Sequence, residues 1–82
     1  MMDKDQITKK LEEVIYEVMP TIDDINMNAS ITDVYGVNSV SLIKIIVELE
    51  SKFDISFTDY ELALSAYATF GDLLATVTEK LA

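Results

Sequence analysis

The chain has 82 residues, half of them apolar, with 15 acidic and 6 basic side chains and neither cysteine nor histidine. That length supports one small domain, expected to span residues 1–82, with a packed core rather than disorder. A formal net charge of −9 disfavours nucleic acid and anionic membranes as partners, and the missing residue types exclude a disulfide framework, a zinc–thiolate site and a Ser–His nucleophile.

The start, Met1-Met2-Asp3-Lys4-Asp5, has no apolar segment after its charges. No signal peptide and a cytoplasmic location are therefore expected. From about Asp3 to Val18, Ile7, Leu11, Val14, Ile15 and Val18 recur on one helical face. Pro20 ends this first helix, because the residue before a proline is pushed out of helical geometry. Thr21 to Val37 is a long connection rich in turn-forming residues, in which Ile22, Ile25, Ile31 and Val34 are expected to anchor the loop on the core.

Gly36 suits a turn, since it takes positive φ without steric cost. Asn38 and Ser39 are both good N-cap residues. A second helix follows to Phe53, with Leu42, Ile45, Ile46, Leu49 and Phe53 on its buried face. Phe53 to Phe57 alternates like a strand but has no partner strand, so it is expected to be an extended connector. Thr58-Asp59 is expected to cap a short third helix, about Tyr60 to Ser65. Thr69-Phe70-Gly71-Asp72 opens the last helix, whose apolar face is Phe70, Leu73, Leu74, Val77 and Leu81. The expected fold is all-α: a small four-helix bundle of three longer helices and one short one, with a long first loop.

Two features of the second helix are not explained by folding alone. Val40, Ile43 and Val47 form an additional apolar stripe, turned away from the buried face, which either packs against the third helix or the first loop or offers a docking face to a partner. Ser39 stands where turn becomes helix, beside unpaired N–H groups and the positive end of the helix dipole, a place that favours an attached phosphate.

Gly36, then Asn38-Ser39-Val40, the Phe53-to-Phe57 connector and Thr69-to-Asp72 together resemble the acyl and peptidyl carrier protein family over nearly the whole chain. In that family an aspartate-serine-leucine core opens the second helix, and its serine carries 4′-phosphopantetheine. The resemblance implies that Ser39 bears this group, and that Ser41, inside the first turn, does not. It also implies a non-enzymatic carrier that holds acyl or aminoacyl groups as thioesters. Its partners would be a phosphopantetheinyl transferase and acyl- or aminoacyl-activating and condensing enzymes. The partner face so implied comprises Asn38, Val40, Ile43, Lys44, Val47 and Glu50, on a monomer that does not insert into membranes.

The chain departs from the family at several points. Asn38 replaces the aspartate, Val40 the leucine, and Lys44 a common recognition glutamate. Lys44, Glu48, Glu50 and Lys52 leave the second helix without net charge, where fatty-acid carriers are strongly acidic. A dedicated polyketide, nonribosomal peptide or similar pathway is therefore expected in preference to general fatty-acid synthesis. The alternative from another class is an unmodified helical interaction module, possible as a dimer, that uses the Val40-Ile43-Val47 stripe. Asp24 to Ile31 imitates the start of an EF-hand calcium loop. Ala29 stands where glycine is needed and Tyr35 where a bidentate acid is needed, so no metal site is expected. No catalytic residue is expected either.

Overall fold

The computed structural model describes residues 2–82. Three α-helices enclose the core: α1, Lys4–Val18; α2, Ser39–Phe53; and α3, Phe70–Leu81. Each begins with a reciprocal cap. The Asp3 carboxylate accepts from the Gln6 amide while the Gln6 side chain accepts from the Asp3 amide. Thr69 and Asp72 do the same for α3, and Asn38 and Ser41 for α2. Such boxes satisfy N–H groups that the helix itself leaves without acceptors.

The expected apolar faces meet in one cluster. Leu11, Val14 and Ile15 of α1, Leu42, Ile45, Ile46 and Leu49 of α2, and Phe70, Leu73 and Val77 of α3 are all buried. No polar or charged side chain is buried among the described residues, so the core is held by apolar burial, at about 25 cal/mol per Å² removed from water.

The segment between α2 and α3 differs from the expected short helix. It forms two 3₁₀ turns, Tyr60–Leu62 and Leu64–Ala66. Ala63 between them is extended, with φ −77° and ψ 135°. The stretch is too short to repay the cost of nucleating an α-helix. Side-chain bonds shape it instead. Thr58 Oγ1 accepts from the Glu61 amide at 3.3 Å, and the Glu61 carboxylate accepts from the Thr58 amide at 2.8 Å. The bundle is thus three α-helices, with a 3₁₀ segment in place of the fourth. The preceding connector is extended as expected; it leaves α2 through Asp54, which takes left-handed geometry at φ 54°, and half-buries Ile55 and Phe57.

In the first connection, Ile22 and Ile31 are buried and Ile25 is partly buried, as anchors should be. Val34 is not an anchor: it is 60% exposed, on a turn closed by its own amide donating to the Ser30 carbonyl at 3.0 Å. Tyr35 and Val37 take its place. The Tyr35 ring lies 5.3 Å from that of Phe70, its hydroxyl accepts from the Asn26 amide, and Val37 is buried.

The loop is then fastened to the start of α3 by backbone bonds. The Ile31 amide donates to Ala68 at 3.0 Å, the Gly71 amide to Met27 at 2.9 Å and the Val37 amide to Ile31 at 2.9 Å. Ser30 and Thr69 form an isolated antiparallel bridge. Gly71 is required by this approach: a Cβ there would lie 2.8 Å from the Met27 carbonyl oxygen.

Tyr67 ties the 3₁₀ segment to the core. Its ring is buried, and its hydroxyl donates to the Glu61 carbonyl at 2.7 Å. Burial, with the Glu61 charge second, pushes the phenol up to about 12 from its ordinary 10.0. A raised folded pKa contributes stability that is fully present below the unfolded value and lost as pH rises through the folded one. Urea denaturation should therefore show an alkaline loss of stability between 10.0 and about 12, and Tyr67→Phe should reduce that loss; equal alkaline slopes for the two proteins would contradict this account.

Candidate functional site at the mouth of the second helix

Gly36 turns the chain with φ 67°, and Val37 behind it is buried, so the residues that follow emerge at a fixed point. Asn38 is the N-cap, extended at φ −118° and ψ −179°. Its Oδ1 accepts from the Ser41 amide at 2.9 Å, and the Ser41 hydroxyl accepts from the Asn38 amide at 2.9 Å. The Leu42 amide donates to the Asn38 carbonyl at 2.9 Å, the first bond of the helix proper.

Ser39 is the first residue of α2 and is exposed. The cap is completed by Asn38 and Ser41 without it, and Ser41 Oγ also approaches the Asn38 carbonyl and Oδ1, each at 3.2 Å. The two neighbouring serines therefore differ in kind: Ser41 is used by the fold, and Ser39 stands beside it without a capping duty. The Ser39 and Val40 amides precede the first intrahelical bond and point to the same mouth. Together with the α2 dipole they favour an anionic group there.

The additional stripe is exposed along its length: Val40 at 64%, Ile43 at 44% and Val47 at 53%. It begins beside Ser39 and runs down the outer side of α2. Lys44 is exposed next to it. Glu50, expected in the partner set, makes bonds within the fold. It is half-buried, its carboxylate accepts from the Phe57 amide at 2.8 Å, and its carbonyl accepts from Ile55 at 3.2 Å. The charged contacts near the connector belong to Lys80, which lies 2.8 Å from Glu61 and 5.1 Å from the Phe57 ring centre. The Lys80 bond, with that from the Thr58 amide second, holds the Glu61 carboxyl below the ordinary carboxylate value.

The calcium-like loop is shaped by its own bonds. Asn26 Oδ1 accepts from the Asn28 amide at 2.9 Å, and Tyr35 faces Phe70. No helix among the described residues is long and apolar enough to cross a membrane.

A family model described as a phosphopantetheine attachment site matches residues 5–77. The chain belongs to the phosphopantetheine-binding carrier protein family. Two relatives, each named acyl carrier protein, come from an Exiguobacterium species and from Petrotoga mobilis. Each is 31% identical over 81 residues, covering 98% of this chain and 100% or 93% of the relative. A carrier of this family bears covalently attached 4′-phosphopantetheine and is not itself catalytic.

Sequence reasoning overlooked the part played by Ser41, although its signal was visible: an N-cap asparagine followed three residues later by a hydroxyl. The division of labour between the serines sets a measurable expectation. Asn38→Ala should destabilise the carrier by about 0.5–2 kcal/mol, and Ser41→Ala should also destabilise it. Ser39→Ala should stay within about 0.5 kcal/mol of wild type. Urea midpoints give all three values, and a Ser39→Ala loss as large as that of Asn38→Ala would show that Ser39 holds the cap.

Proposed function

We propose that Ser39 Oγ is the point at which 4′-phosphopantetheine is attached, and that the protein presents acyl or aminoacyl intermediates on that arm to partner enzymes. The observation that carries this is the exposed Ser39 hydroxyl at the first position of α2, next to a cap complete without it. A separate phosphopantetheinyl transferase forms the Oγ–phosphorus bond. The phosphopantetheinyl group leaves coenzyme A, adenosine 3′,5′-bisphosphate departs, and the serine proton goes to a base on the transferase. The terminal thiol of the arm then supplies the thioester chemistry that a chain without cysteine lacks.

The chain's own residues perform two tasks. Asn38, Ser41 and buried Val37 hold the attachment point still, while the α2 dipole and free amides favour the phosphodiester's negative charge. Val40, Ile43 and Val47, with Lys44 beside them, offer a small apolar docking stripe. A contact of that size suits the short-lived complexes of a carrier that serves an activating enzyme and then a condensing enzyme.

The charge-neutral second helix supports a dedicated pathway, polyketide or nonribosomal peptide assembly or a similar one, over general fatty-acid synthesis. The working unit in this reading is a single cytoplasmic domain, residues 1–82, acting as a monomer. The exposure of Val40, Ile43 and Val47 also suits the rival reading, an unmodified interaction module.

Intact mass after incubation with coenzyme A and a broad-specificity transferase separates the two. The wild-type chain and Ser41→Ala should each gain one phosphopantetheinyl group, and Ser39→Ala should gain none. Asn38→Asp should load faster with a fatty-acid-type transferase, because it restores a charge-assisted bond. Absence of any mass gain in the wild type would leave the interaction module as the function.

A further inference from the structure

The stripe on α2 is one wall of a groove whose other wall belongs to α1. Val18 and Glu17, in the last turn of α1, face Ile43, Lys44, Val47 and Glu48 across an open concavity of about 450 Å³. Val18, Ile43 and Val47 are its apolar floor. The rim carries one cation, Lys44, and two acids, Glu17 and Glu48. Among the described residues the one ion pair joins Lys80 to Glu61, so Lys44 and Glu48 are unpaired although they stand one helical turn apart. Lys before Glu at that spacing is the less favourable order along a helix, which leaves both charges free for an outside partner.

The charge pattern decides what fits. A small anion meets two carboxylates at the rim and the field of a chain with net charge −9. A small cation meets Lys44. A uniformly basic surface, which the overall charge attracts from a distance, would oppose Lys44 once docked. A second copy of this chain brings the same net −9 and is repelled at long range.

We infer that this groove, with the α1 residues Glu17 and Val18 included, receives a protein segment of mixed charge. The partner seats an apolar side chain on Val18, Ile43 and Val47, presents a carboxylate to Lys44, and presents a basic side chain to Glu17 and Glu48. Lys44 then acts as the specificity residue that selects such a partner over a uniformly basic one. This deepens the carrier reading by naming the chemistry of the partner, and rests on it only for the partner's being a biosynthetic enzyme.

Two synthetic amphipathic helical peptides test it. They share one leucine ridge; one flanks it with arginines only, the other with an arginine on one side and a glutamate on the other. Each is titrated at about 0.15 M salt, where charges beyond contact range are largely screened, into the unloaded full chain and followed by amide spectra. The mixed-charge peptide should bind about threefold more tightly, the scale of one surface charge contact, and should perturb Val18, Ile43, Lys44 and Val47. Lys44→Glu should reverse the preference, and Ile43→Ser should weaken both peptides alike.

Equal or tighter binding of the arginine-only peptide by the wild type would overturn the inference. So would binding of neither peptide, perturbations centred elsewhere, or concentration-dependent shifts of these amides without peptide, which would make a second copy the occupant. Lys44 and Ile43 lie outside the buried core, and unchanged core amide signals verify that both variants fold. Because the titration uses the unloaded chain, its failure and a failure of Ser39 to accept phosphopantetheine are separate results.

Discussion

The exchange of bonds between Asn38 and Ser41 is the constraint on which the site depends. A helix start must satisfy its first amides, and the nearest hydroxyl is the usual means. Here Ser41 does that work, returning a 2.9 Å bond to the Asn38 amide while Asn38 Oδ1 takes the Ser41 amide. Ser39, two residues earlier, is thereby released from structural duty at the point where the dipole and the free amides are strongest. A hydroxyl spent on capping would be a poor acceptor for a transferred group, since its reaction would loosen the helix that displays it.

That start is itself held in place from a distance. A relay of backbone bonds runs from Val37, immediately before the α2 cap, to Ile31 and on to Ala68, immediately before the α3 cap. Buried Ile31 and the Tyr35–Phe70 contact clamp the same stretch to the core. The mouths of α2 and α3 are thus linked through one loop, and its length carries the chain across the end of the bundle. The close passage of Gly71 beneath the Met27 carbonyl belongs to the same fastening. A mobile attachment point would spread an arm over many positions; an arm on Ser39 would begin from a fixed one.

Much of this was visible in the residues. The three α-helices announced themselves through apolar spacing, with boundaries marked by Asp3, Pro20, Asn38 and Thr69, because burial of one face and capping of one end are local demands. What was not visible depended on contacts across the fold. Val34 and Tyr35 are adjacent and both apolar enough to anchor a loop; only the turn closed onto Ser30 decides that Val34 faces solvent and Tyr35 meets Phe70. The 3₁₀ turns replaced a short helix because Thr58, Glu61 and Tyr67 shape that segment through side-chain bonds. Glu50 looked like a surface charge until the connector folded back and placed the Phe57 amide on its carboxylate. The second stripe, by contrast, was legible as a surplus: one apolar face satisfies the core, and Val40, Ile43 and Val47 remained outside it.

Electrostatics and packing divide the remaining work. In the proposed reading, net negative charge would draw partners with basic surfaces from a distance, while the short apolar stripe and the mixed charges around Lys44 would act only at contact. The central claim concerns one oxygen atom, and phosphorus-coupled proton spectra of the loaded protein test it most directly. The account predicts coupling between the phosphodiester phosphorus and the β protons of Ser39, with the Ser41 signals still those of a capping hydroxyl. Coupling to Ser41 or to any other serine would contradict it.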